Sequence, residues 1–142
     1  MDEEPTSAEL GYGAYIDIST DNGSTWASAG QISGDITPPS ATVDTHDASH
    51  SQSPGRVKEF ITGFSDPGNC AYPIHFNPNS PVDQLYRSIR LAGARVLVRL
   101  TYGNGVSETF AALLTGYQPT VPINGRQTAQ VEWKVTGMSE IA

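Results

Sequence analysis

Apolar and polar residues alternate along most of this chain with the two-residue period of half-buried strands. Ala14, Ile16 and Ile18 alternate with Tyr15 and Asp17, and Asp21-Asn22-Gly23 then supplies a turn. Asn-Gly favours the positive φ angles of tight hairpins, so Thr25 to Ile36, with Trp26 and Ile32, is expected to fold back on the first strand. Pro38-Pro39 interrupts the ladder, because proline donates no backbone hydrogen bond. Ala41, Val43 and Thr45 suggest a third strand, His46 to Pro54 a polar loop, and Arg56 to Phe64 a strand with imperfect alternation. Asp66-Pro67-Gly68 is a turn. Cys70, Tyr72, Ile74 and Phe76 alternate over a fifth strand, which Pro73 marks as a candidate edge.

The period changes once. Ser80 can cap a helix, Pro81 fits its first position, and Asp83 complements the dipole. Val82, Leu85, Tyr86 and Ile89 form one apolar stripe, and Gly93 is a stop. Alternation then resumes in Val96 to Tyr102. Gly103-Asn104-Gly105 turns the chain into Thr109 to Tyr117, where Phe110, Ala112 and Leu114 share a face. Asn124-Gly125 precedes a last strand carrying Ala129, Val131, Trp133 and Val135. The pattern predicts a mainly β fold, a β-sandwich or partly closed β-barrel of seven to eight strands with one flanking α-helix. No internal repeat or low-complexity block is evident.

A length of 142 residues suits a single domain, residues 1–142, with 1–11 read as a flexible tail. Fifteen acids against eight Lys and Arg give a formal charge of −7, which disfavours tight nucleic-acid binding. It suits a conduit through which phosphates must slide without adsorbing. Cys70 stands alone, so no intrachain disulfide or zinc-finger spacing exists. The acidic, polar N-terminus does not resemble a secretory signal, and no segment approaches 18 apolar residues, so the chain is expected to fold in a cytoplasm without a membrane.

Chemistry finds little support. Asp44, His46, Asp47 and His50 are the one cluster of candidate metal ligands, but alternation would part Asp44 and His46 from the two loop residues. The plain reading is a solvated polar loop. No Gly-x-Ser-x-Gly elbow frames a hydrolase triad, no feature places two acids in an apolar cleft, and Gly11-Tyr12-Gly13 precedes a strand where a phosphate site needs a helix. No catalytic residue, metal or cofactor is expected. Trp133, in register with Val131 and Val135, suits the core, whereas Trp26 suits either the core or a stacking platform. Asn22-Gly23-Ser24 matches a glycosylation sequon but reads more simply as a turn.

The order of segments resembles the tail tube proteins (major tail proteins) of long-tailed, non-contractile bacteriophages and of gene transfer agents, over roughly residues 14 to 138. The markers are Trp26 with Ile32 and Ile36 before a proline turn, the runs Val43 to Ser49 and Lys58 to Phe64 with Asp66 and Gly68, the helix at Ser80 to Ala92, Val96 to Tyr102, and Val131 to Gly137. The resemblance implies hexameric rings stacked into a hollow tube, with joined sheets lining a lumen for DNA. It also implies initiator, tape measure and terminator proteins as partners, and the virion tail as destination after assembly in the host cytoplasm. A Ser- and His-rich arm, and Gly63-Phe64, depart from the family's usual pattern. Residues 46–55 are expected to be a mobile assembly arm. Asp44, Thr45, His46, Asp47, Ser49, His50, Arg56, Lys58 and Glu59 are the candidates for arm and inter-ring contacts. The alternatives are a single-ring tail terminator and a monomeric β-sandwich module that binds carbohydrate or protein.

Overall fold

The computed structural model describes residues 11–137 and 140–141. Its strands are β1 (Tyr15–Ser19), β2 (Ala27–Ser28), β3 (Thr42–Asp47), β4 (Phe60–Asp66), β5 (Asn69–His75), β6 (Val96–Thr101), β7 (Ser107–Thr120), β8 (Thr128–Val135) and β9 (Glu140–Ile141), with one helix, α1 (Pro81–Ala92). The fold is mainly β, as the alternation predicts. Seven strands form one antiparallel sheet in the order β2-β1-β6-β7-β8-β5, with β9 on β7, while β3 and β4 pair only with each other.

The segment Ala27–Thr37 explains how the large sheet curls. Its first residues pair with β1 through Asp17–Ser28 and Ile18–Ala27. It then crosses to the opposite edge, where Ile32 bridges Ile74 and Thr37 bridges Ala71 on β5. One segment thus touches both ends of the sheet and closes the barrel in part. The sequence reading of a simple return strand over Thr25 to Ile36 is corrected here: after two residues on β1 the chain leaves for β5. Gly30 (φ +110°) is on this path, where a Cβ would crowd Val82 and Ile74.

β5 is the ladder's edge, as Pro73 predicts. The Pro73 carbonyl accepts from Ser33 N at 3.0 Å, so its nitrogen faces the crossing segment and not β8. No β8 bond is lost. On the inner face, Ile16 and Ile18 meet Val96, Val98, Leu100, Phe110, Val131 and Val135, with Cys70, Tyr72 and Ile74 from β5. A bulge between Leu114 and Gly116 resets the alternation so that Tyr117 also points inward. β7 therefore continues to Thr120, beyond the Tyr117 end expected from its pattern.

α1 lies over this face. Ser80 Oγ accepts from Asp83 N at 3.2 Å, and Gly93 at φ +63° ends the helix by donating to Ile89 O. Tyr86 and Ile89 are buried, with Val82 and Leu85 packed against the core. Trp133 is fully buried, as its register predicts, and the polar atoms of Trp133, Tyr72 and Tyr86 form one chain of donors. Trp133 Nε1 donates to Tyr72 Oη at 3.0 Å, Tyr72 to Tyr86 Oη at 2.7 Å, and Tyr86 to Ala29 O at 2.7 Å. Burial raises both tyrosine pKa values, keeping the hydroxyls protonated as this chain requires. The last bond ties the crossing segment to the helix.

Candidate assembly surface

The hairpin β3–β4 departs from everything above. Every residue of both strands is exposed. Two strands alone are marginal in water, because neither face has a layer to pack against. The pairing Thr45–Thr62, His46–Ile61 and Asp47–Phe60, with a register shift between Val43 and Thr45, sorts the side chains. Phe60 and Thr62 share one face with Thr45 and Asp47, while Ile61 and His46 share the other, and the extra residue of the shift falls on β4 between Thr62 and Ser65. Val43, Phe60 and Ile61 are more than half exposed, and Phe64 is 90% exposed. The imperfect alternation of this stretch in the sequence thus has a physical cause: both faces carry apolar groups.

The expected loop boundaries need correction. β3 runs on through His46 and Asp47, and β4 begins at Phe60, not Arg56. Between them the chain is organised around Glu59. Ser49 Oγ accepts from Glu59 N at 2.7 Å, Ala48 N donates to Glu59 O at 2.8 Å, and Ser53 Oγ donates to the Glu59 carboxylate at 2.8 Å. His50 Nε2 lies 3.4 Å from the same carboxylate, while its Nδ1 accepts from Gln52 N. Asp47 Oδ1 accepts from Ser49 N at 2.8 Å, and the hydrogen bonds with Ser49 hold this carboxyl below its ordinary range. Pro54–Arg56 forms a single tight turn with Gly55 and Arg56 at positive φ. Serines and acids that suggest a structureless loop instead bond to its backbone.

Of the predicted residues, the structure brings Asp47, Ser49, His50 and Glu59 into this network. His46 lies over Gly63, where a Cβ would come within 2.5 Å of Nε2, so the imidazole takes the place a side chain would fill. That accounts for the glycine. Asp44 and Thr45 are exposed on β3, and Arg56 and Lys58 are exposed and enter no ion pair among the described residues. No three His, Cys, Asp or Glu side chains among the described residues group closely enough to hold a metal ion.

The hairpin is rooted rigidly. Gly68 at φ +88° passes so close to Ser40 that a Cβ would meet its carbonyl oxygen at 2.3 Å. Asp66 Oδ1 accepts from Gly68 N at 2.9 Å and from Lys134 Nζ at 2.7 Å, and Val135 N donates to Gly68 O. The bond from Lys134, then the Gly68 amide, lowers the Asp66 pKa.

Sequence reasoning missed three features. β6 covers β7 only as far as Ala112, so among the described residues Leu113–Thr120 is laddered on one side alone, by β8. A cleft of about 1080 Å³ opens at the end of the barrel, between the crossing segment and the start of β1. Tyr12, Tyr15, Ile32, Ile36, Leu100 and Tyr102 line it, with Gly13, Gly30 and Gly34 leaving backbone open and Asp35 beside them. Asp83, read as a dipole partner, is buried: it accepts from Tyr117 Oη at 2.8 Å and Asn79 N at 2.9 Å and meets Arg87 at 2.9 Å. Burial alone would raise its pKa, yet these partners outweigh burial and lower it. Trp26 is half-buried beneath the Arg99 guanidinium, 4.2 Å from the ring centre, while Arg99 also reaches Asp17 at 3.2 Å. One face of the ring is therefore occupied by a cation–π contact.

A partly closed barrel with a flanking helix and an exposed hairpin recurs among solved structures of tails and tubes. The chain superposes with a TM-score of 0.75 on a subunit of the tail of an empty gene transfer agent particle with C6 symmetry, at 15% identity, covering 95% of this chain and 99% of that one. It superposes at 0.62 on the SPP1 tail tube protein (6% identity, 90% and 75% covered) and at 0.64 on the terminating cap of the anti-feeding prophage tube (12%, 99% and 95%). No curated protein sequence matches the chain. Residues 13–142 match the model of the lambda phage tail tube protein, and the chain belongs to that family. It is a structural protein of phage-type tails, as the order of its segments suggests.

Proposed function

We propose that the chain assembles into six-membered rings that stack into a hollow tail tube through which DNA passes. The observation that carries this reading is the β3–β4 hairpin, whose two faces both present apolar groups to solvent. Such a hairpin gains stability when other copies cover it, and an edge like Leu113–Thr120 gains when a neighbour extends the sheet. A knob on one surface and its complement on another generate rings or filaments. A single domain, residues 1–142, does this without catalysis.

The candidates Asp44, Thr45, His46, Asp47, Ser49, His50, Arg56, Lys58 and Glu59 then act in contacts between rings. The arm at 46–55, its tip held locally by the Glu59 network, engages the next ring, and the entropy cost of fixing the whole hairpin there slows polymerisation until an initiator supplies a first ring. Tape measure and terminator proteins fix length and end. The net charge of −7 suits a lumen that DNA crosses without adsorbing. Assembly takes place in the host cytoplasm and the product resides in the virion tail.

Negative-stain electron microscopy of concentrated protein tests this. Hollow filaments with six-fold end views are expected. Single rings that never elongate would indicate a terminator, and uniform small particles that change tryptophan fluorescence with a sugar or peptide would indicate a binding module.

A further inference from the structure

Three Asn-Gly pairs, Asn22-Gly23, Asn104-Gly105 and Asn124-Gly125, stand in turns of this fold. Each brings a carboxamide next to a backbone nitrogen that no Cβ shields, so each can react with itself. We propose that the fold suppresses this reaction at the first two pairs and leaves Asn124 as a site of covalent self-modification, to aspartate and isoaspartate.

Exposure does not sort the three, since every one of these asparagines is exposed. Hydrogen bonding does. The Gly23 amide donates to Ser19 Oγ at 2.7 Å, and Ser19 is buried, so that nitrogen is engaged away from Asn22. The Gly105 amide donates to Tyr102 O at 3.0 Å, while Asn104 Oδ1 accepts from Val106 N at 3.2 Å. At the third pair neither the Gly125 amide nor the Asn124 side chain forms a hydrogen bond among the described residues. Both reacting groups are unengaged there.

The reaction needs only water. The Gly125 nitrogen loses its proton to solvent and attacks Asn124 Cγ, so that an N–Cγ bond forms, the Cγ–Nδ2 bond breaks, and Nδ2 takes a proton back and leaves as ammonia. Water then opens the cyclic imide. Attack at Cγ yields aspartate, and attack at the main-chain carbonyl carbon yields isoaspartate, whose backbone runs through Cγ; nothing is oxidised or reduced. Either product sets a new carboxylate beside the exposed Val121 and Ile123 and takes the formal charge one unit below −7. Isoaspartate also adds a main-chain carbon to the connection between Thr120 and Thr128, the pair that closes the β7–β8 ladder. The tip thus records the age of the chain.

Mass spectrometry of the dilute purified protein, aged in mildly alkaline buffer with and without urea, tests the site. Asn104 and Asn124 share the tryptic peptide Leu100–Arg126, so fragment ions assign each conversion. In the native protein Asn124 should convert at least tenfold faster than Asn22 and Asn104, and in urea the three rates should converge. Ser19→Ala frees the Gly23 amide and should raise conversion at Asn22 severalfold. Gly125→Ala, whose Cβ would lie 3.3 Å from Pro122 Cγ, should slow conversion at Asn124 severalfold. Native Asn22 or Asn104 converting as fast as Asn124, or an order that persists in urea, would overturn the proposal. So would an Asn124 that stays intact.

Discussion

Two antiparallel pairs of similar length lie side by side in this chain, and they have opposite fates. β5 on β8 pairs seven residues, from Asn69–Lys134 to His75–Thr128, and buries Cys70, Tyr72, Ile74, Ala129, Val131 and Trp133 between barrel and helix. β3 on β4 pairs nearly as many and buries none. Their backbones obey the same rules. The difference is the second layer: in one pair the same chain supplies it, and in the other the described residues supply none. An unfinished element next to a finished core is what a subunit of a larger assembly requires.

The comparison breaks most severely at Trp133. Trp133→Ala leaves a large cavity and removes the donor to Tyr72, so a loss of about 3–5 kcal/mol is expected in chemical denaturation. Asp83→Ala removes the acceptor shared by Tyr117, Asn79 and Arg87 and should cost about 1–3 kcal/mol. This site also carries a pH signature. Because the folded pKa of Asp83 lies below the ordinary 3.8, its contribution is complete above that value and is lost as pH falls through the lower folded pKa. Denaturation at pH 7 and pH 3 should therefore show a steeper acid loss for the native chain than for Asp83→Asn.

Gly68→Ala probes the joint between the two regions. Strain at φ +88° and the approach to Ser40 should cost about 1–3 kcal/mol and shift the hairpin's angle, impairing assembly more than folding. The smallest effect on stability is expected in the hairpin itself. Phe60→Ser and Ile61→Ser should change the denaturation midpoint by less than about 0.5 kcal/mol while raising the concentration needed for assembly. A large destabilisation by either would mean that the hairpin packs on its own barrel.

The finished region was largely legible in the sequence. Alternation through Ile16, Val98, Val131 and Trp133 reports a face buried by the same chain, and Ser80-Pro81 with Gly93 bounds the helix because capping is local chemistry. Elements whose reason is distant were less legible. The crossing of Ala27–Thr37 depends on β5 bonds to Gln31, Ser33 and Thr37, and no local pattern reports them. The hairpin was read as a candidate arm from its polar tip, but its ends were misplaced because side chains at Ser49, Ser53 and Glu59 order the turn. Its two apolar faces were visible only as imperfect alternation. The buried Asp83 network escaped because an acid in a first helical turn usually faces solvent.

Amide hydrogen exchange compared between dilute subunit and concentrated assembly tests the central claim most directly. Exchange at Thr42–Asp47 and Phe60–Asp66 should be fast in the dilute protein and slow by at least a hundredfold in the assembly, while β5 and β8 stay equally protected in both. Equal protection of the hairpin in the two states would contradict the claim that copies of this chain complete it.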